Sequence, residues 1–132
     1  MAIATDHIAI DHRTHGVHVT GQLSVRVDDL SLIADAMARL RARVPATLAG
    51  VPVAASDLAA GVGGLPPTDA ILLAGDGVRA VARPSGTEPK LKVYLEAALP
   101  PEASVDLGAA RATAQARLAL LRADMAVALG LG

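Results

Sequence analysis

The chain has 132 residues, of which 52% are hydrophobic and 1% aromatic, with a formal net charge of -1 and no cysteine. That length suits one globular domain with a real core, and the lack of thiols excludes a cysteine nucleophile, a redox pair and a thiolate zinc site, so a reducing cytoplasm is the expected location. One tyrosine without phenylalanine or tryptophan offers no base-stacking platform, and 12 Lys and Arg against 13 Asp and Glu leave no overall basic surface, which argues against nucleic acid. Apolar runs broken by Arg, Asp or Gly fall short of the ~20 residues of a spanning helix, and Asp6, His7, Asp11 and His12 interrupt any leader-like stretch.

Residues 1–14 have no clear period and read as a lead-in without assigned structure; 15–132 read as a single domain. Val17 to Val27 alternate apolar and polar, the two-residue period of a strand with one buried face. Asp28 or Asp29 can cap a helix with Leu30, Ile33, Met37, Leu40 and Val44 at helical spacing, which Pro45 stops. Residues 45–69, rich in Gly and Pro, read as a connection holding a short strand near Val51 and a turn of helix near Ser56 to Ala60. Ala70 to Ala74 and Val78 to Ala82 read as a hairpin around Gly75-Asp76-Gly77, with the Asp-Gly pair supplying positive φ. Lys90 to Ala97 alternate again, with Lys90, Lys92, Tyr94 and Glu96 on the polar side. Leu107 to Leu129 form a closing helix, with Leu118, Leu121, Met125 and Leu129 on its apolar row and Gly130 past its end.

This order predicts an α+β fold of two layers, a mostly antiparallel sheet covered on one face by two helices, with the other face open. The two lysines of the chain, Lys90 and Lys92, stand together on that open side. Just before them runs Arg83-Pro84-Ser85-Gly86-Thr87-Glu88-Pro89-Lys90. Arg83 offers a planar fork for two oxygens, Ser85 and Thr87 offer hydroxyls, and Gly86 lets backbone N–H groups converge on one oxyanion, while the prolines restrict the loop. Read by residue types alone, the stretch is either such an anion cradle or an ordinary connection in which Arg83 pairs with Glu88.

The octet, followed by Leu-Lys-Val-Tyr-Leu-Glu, resembles the signature of the C-terminal domain of the phosphohexomutases, the phosphoglucomutase and phosphomannomutase superfamily. The similarity runs upstream through Gly16 to Asp29 and covers roughly residues 15–130. It implies a TATA-box-binding-protein-like sheet with two helices on one side. It also implies that Arg83, Ser85, Gly86 and Thr87, with Lys90 in a lesser role, bind the phosphate of a hexose phosphate. Such enzymes are isomerases of carbohydrate metabolism that interconvert hexose 1- and 6-phosphates by intramolecular phosphoryl transfer. The implied partners are a hexose phosphate and the remaining mutase domains, with magnesium and a hexose 1,6-bisphosphate activator for the full enzyme and no cofactor in this chain.

The departures are equally specific. No Ser here precedes His-Asn, the pair typical of the phosphoserine nucleophile, and no Asp-Gly-Asp-Gly-Asp-Arg run is present to hold magnesium. The chain alone is therefore expected to have no catalytic residues and no mutase activity. The alternative is a stand-alone, non-catalytic domain that binds a phosphorylated ligand or a partner. His7, His12, His15 and His18 are expected to be solvated rather than metal ligands, as are Arg111, Arg117 and Arg122 of the last helix. Tyr94 either lines the anion-facing side or packs on Arg83.

Overall fold

A computed structural model describes residues 16–60, 68–85, 88–100 and 106–131. The lead-in 1–14, with His7, His12 and the adjacent His15, lies outside the described residues. Strand β1, Val17–Arg26, leads into helix α1, Leu30–Ala42; β2, Thr47–Leu48, and β3, Val51–Asp57, follow with a short 3-10 turn at Leu58–Ala60. Strands β4, Ile71–Gly75, β5, Val78–Pro84, and β6, Lys90–Leu99, precede helix α2, Leu107–Ala128. All six strands join one antiparallel sheet in the order β1-β6-β5-β4-β3-β2. The expected α+β fold with both helices on one face is present.

Alternation decides which side each residue takes. Val17 and Val19 of β1, Val78, Ala80 and Ala82 of β5, and Leu91, Val93, Leu95 and Ala97 of β6 are buried under the helices. From α1 come Ile33, Ala36, Met37 and Leu40, and from α2 come Ala110, Ala114, Leu118, Leu121 and Met125. Tyr94, the sole aromatic residue, is 39% exposed, so no ring contributes to the core. Close approach takes the place of bulk: a Cβ on Gly21 of β1 would lie 3.2 Å from Leu118 Cδ2 of α2. Helix α2 lies over β1 and β6 and also meets β2 at the opposite edge, where Asp124 accepts a 2.7 Å bond from the Ala49 N–H. The sheet therefore curls around α2.

Of the two candidate caps of α1, Asp29 serves: its carboxylate accepts from the Ser31 N–H at 2.9 Å, and that bond holds its pKa below 3.8. A carboxylate with a lowered folded pKa stabilises the fold above its unfolded pKa, and the stabilisation is lost as pH falls through the lower folded value. Asp29→Ala is therefore expected to lower Tm by about 3–5 °C at pH 7. In thermal melts at successive pH values, the gap to the wild type should close as pH drops below 3.8. A gap that persists in acid would show that the loss is not the cap's.

Three expectations need correction. The connection 45–69 holds a seven-residue strand, β3, and its two-residue partner β2 rather than one short strand near Val51, and helical turn begins at Leu58 rather than Ser56. Small residues hide β3: none of Val-Pro-Val-Ala-Ala-Ser-Asp is buried, and the alternation of half-buried and exposed positions over its first four residues breaks at Ala54-Ala55. In the β4–β5 turn only Gly77 takes positive φ, 75°, and Asp76 does not share it, so glycine is required at one place instead of an Asp-Gly pair. Arg117 and Arg122 are half-buried rather than solvated, and Arg122 Nη2 reaches the Gln22 carbonyl at 3.5 Å. Arg41 does comparable work on α1, meeting Asp57 at 3.0 Å and Asp69 at 2.6 Å, which ties that helix to both ends of the 58–68 connection.

Candidate anion site

The face of the sheet away from the two helices carries the even-numbered side chains of β1 and β6 and the odd-numbered ones of β5, as the register requires. At one end of it Arg26 of β1 stands opposite Lys90 of β6, and Lys92 of β6 stands opposite both Ser24 of β1 and Arg83 of β5. Two like-charge pairs thus occupy directly opposed positions, with Cβ atoms of such pairs about 5 Å apart, an arrangement that destabilises a sheet in the absence of an anion. The opposite end is of mixed sign: Arg79 faces Glu96, and His18 Nδ1 lies 3.7 Å from Glu96 Oε2. Tyr94 and Val81 pair between the two ends.

The 83–90 stretch is tied down at both arms. The Ser85 N–H donates to the Lys90 carbonyl at 2.9 Å, which extends the β5–β6 ladder past Pro84, and the Lys90 N–H donates to the Glu88 carbonyl at 2.7 Å. Val27, just past β1, donates its N–H to the Pro89 carbonyl at 2.9 Å. The arm at residues 88–90 is therefore held by β1 as well as by β5.

Glu88 points its carboxylate at the cations of this end. Its Oε2 lies 2.8 Å from Arg26 Nη2 and 3.8 Å from Lys90 Nζ. The Arg26 bond first, and then the charges of Lys90 and Lys92, hold Glu88 below the usual carboxylate range. The pairing of Arg83 with Glu88, which an ordinary connection would use, is replaced by Arg26 with Glu88. Among the described residues no carboxylate lies within ion-pair distance of Arg83 or Lys92.

Of the residues singled out in the sequence, Arg83 is exposed at the end of β5, Ser85 is half-buried beside it, and Lys90 opens β6 on the same face. The N–H of Ser85 is engaged by Lys90, so its contribution to an anion would come from the hydroxyl. Gly86 and Thr87 lie outside the described residues. Sequence reasoning missed Arg26: its even place in the β1 alternation puts it on the polar side, yet only the pairing of β1 with β6 brings it to Lys90. His18 projects from the polar side but is half-buried rather than solvated, and its buried Nδ1 has no hydrogen-bond partner among the described residues. Nor does any group of three or more His, Asp or Glu among the described residues suit a metal ion. No described helix is long and apolar enough to cross a membrane.

Chemically, four cations and one carboxylate at the rim of a sheet can receive a multiply charged anion through charge-assisted bonds. The profile of the family described as phosphoglucomutase/phosphomannomutase, C-terminal domain, matches residues 23–115. A protein of Haemophilus influenzae named "Probable phosphomannomutase" is 45% identical over 92 residues, which cover 62% of this chain and 17% of that protein. This chain thus spans about a sixth of that relative. The open form of the exocytosis-sensitive phosphoprotein pp63/parafusin from Paramecium, a phosphoglucomutase, superposes with a TM-score of 0.56 at 18% identity, covering 96% of this chain and 23% of that one.

Proposed function

Since this chain belongs to the phosphoglucomutase/phosphomannomutase C-terminal domain family, we propose that its open-face cation cluster and 83–90 loop hold the phosphate of a hexose phosphate. The reaction served is the interconversion of hexose 1- and 6-phosphates by intramolecular phosphoryl transfer in a cytoplasmic enzyme of carbohydrate metabolism. The observation that carries the reading is the pair of like-charge oppositions, Arg26 with Lys90 and Arg83 with Lys92. The opposition that no described carboxylate bridges, Arg83 with Lys92, costs stability in the free domain, and a bound dianion turns that repulsion into shared attraction. Arg83 supplies the bidentate fork, Lys90 and Lys92 supply point charge, and the Ser85 hydroxyl, with Gly86 and Thr87, completes the donor set.

Phosphoryl transfer also needs a nucleophile and a metal. Neither the phosphoserine motif nor the magnesium run occurs in these 132 residues, and the described carboxylates do not fit a metal site. The proposal therefore assigns magnesium and the phosphoserine to the remaining mutase domains, the partners of this one, and a hexose 1,6-bisphosphate as activator to the whole enzyme. This chain contributes binding alone and is expected to be inactive by itself. A clamp built from few, exposed bonds suits a reaction in which the bisphosphorylated sugar must let go and turn between two transfers.

The test is a nitrogen-15 NMR titration of the 132-residue chain with glucose 1,6-bisphosphate, glucose 6-phosphate and inorganic phosphate. Shifts are expected at residues 83–92 and at Arg26, with Arg83→Ala weakening binding about tenfold or more. Absence of shifts at millimolar ligand, or binding indifferent to Arg83→Ala, would overturn the reading.

A further inference from the structure

We propose that Glu88 is the built-in counter-anion of this site: it occupies Arg26 and Lys90 in the free domain, yields them to phosphate, and so sets how tightly phosphate is held. The inference rests on the phosphate reading above and adds a residue whose part is to weaken binding. Three observations carry it. First, Glu88 Oε2 lies 2.8 Å from Arg26 Nη2 and 3.8 Å from Lys90 Nζ, so one carboxylate bridges one of the two like-charge oppositions and leaves the other, Arg83 with Lys92, for the ligand. Second, the backbone that follows Glu88 is fixed independently of its side chain, by the Lys90 N–H on the Glu88 carbonyl and the Val27 N–H on the Pro89 carbonyl. The carboxylate can swing away without loss of the loop's anchorage. Third, the pair is wet, with side chains 58% and 45% exposed, and such ion pairs are cheap to break.

The chemistry follows from competition for donors. A phosphate dianion that meets Arg83 and Lys92 at full contact brings its remaining oxygens toward Lys90 and Arg26, where a carboxylate at Glu88 repels it and holds the donors it needs. Protonated or amide side chains at the same place would not repel it and would hold those donors only through weaker, uncharged acceptance. Glutamine is the informative replacement, since it keeps the length of Glu88, can still accept from Arg26, and leaves both backbone anchors in place.

The experiment is titration of the full chain with inorganic phosphate at constant ionic strength, followed by nitrogen-15 shifts, for the wild type, Glu88→Gln and Arg83→Ala. Glu88→Gln is expected to bind phosphate about three- to tenfold more tightly, the range that one unit charge near contact distance commands in an exposed site. In wild-type chain labelled with carbon-13 as well, the Glu88 carboxyl carbon is expected to shift on saturation with phosphate. Equal or weaker binding by Glu88→Gln, in a chain where the wild type binds and Arg83→Ala does not, would overturn the counter-anion role and leave the phosphate site standing. Binding by neither the wild type nor Glu88→Gln would overturn both.

Discussion

Gly75→Ala is expected to destabilise the domain by about 3 kcal/mol or more, a loss large enough to unfold a substantial part of a marginally stable chain at 37 °C. A Cβ at this position would lie 2.2 Å from the carbonyl oxygen of Pro52 and 3.1 Å from Val53 Cγ1. The first of these neighbours is backbone, so no rotamer change relieves the contact. It is also backbone of the strand that pairs with Gly75, since Val53 and Gly75 stand opposite in the β3–β4 register. Relief would require separating the strands at the start of β3, where the two-residue β2 is the sole outer neighbour. Urea unfolding should show a lower midpoint with an unchanged slope. A midpoint within a few tenths molar of the wild type would mean that β2 and β3 peel away from the sheet cheaply, and that the edge contributes little to holding β4 and β5 in place.

This contact belongs to the part of the fold that the sequence conceals. Strand β1, both helices, the β4–β5 hairpin and β6 were legible because each buries one side against one core, which imposes a period of two or of helical spacing on large aliphatic residues. Strand β3 buries no residue fully and is built of small residues and a proline, and its alternation, with Val51 and Val53 half-buried against the core, lasts only four residues. Its existence is settled by β4, which presents Ile71 to Gly75 as an antiparallel template. Asp29 was recoverable as one of two adjacent candidates because capping is a local matter, decided within two residues by the bond to Ser31.

The candidate site divides along the same line. The 83–90 octet lies in one continuous stretch whose residue types suggest an anion, and Lys92 follows two positions later on the same face, so the local part of the cluster could be read directly. Arg26 could not, because its place depends on β1 lying beside β6 with Arg26 facing Lys90 across 64 residues of sequence. The partner of Glu88 is hidden for the same reason: proximity in sequence favours Arg83, whereas the sheet places Arg83 one strand further from β1 and brings Arg26 to 2.8 Å. Family membership speaks to the fold and to ancestry. The unbridged opposition of Arg83 with Lys92 is the physical feature on which the proposed anion binding rests.

Lys92→Gln is expected to move stability and phosphate affinity in opposite directions. Lys92 stands opposite Arg83 across β5 and β6, with Ser24 on its other side, and no carboxylate of the described residues lies within ion-pair distance of it. Removal of its charge eliminates an unfavourable cross-strand opposition in the free domain, worth roughly 0.5 kcal/mol, so the variant should melt slightly higher than the wild type. The same change deletes a charge-assisted bond to the bound anion, and affinity for inorganic phosphate should fall about tenfold or more. A structural lysine would behave otherwise, since its loss would lower stability, or leave it unchanged, with little effect on the anion. Melting curves without and with phosphate separate the two cases in one measurement. In the free state the variant should lie above the wild type, and at tens of millimolar phosphate the order should reverse, because ligand stabilisation grows with the ratio of concentration to Kd. Parallel shifts of the two proteins on addition of phosphate would detach Lys92 from the site and return the cluster to Arg26, Arg83 and Lys90.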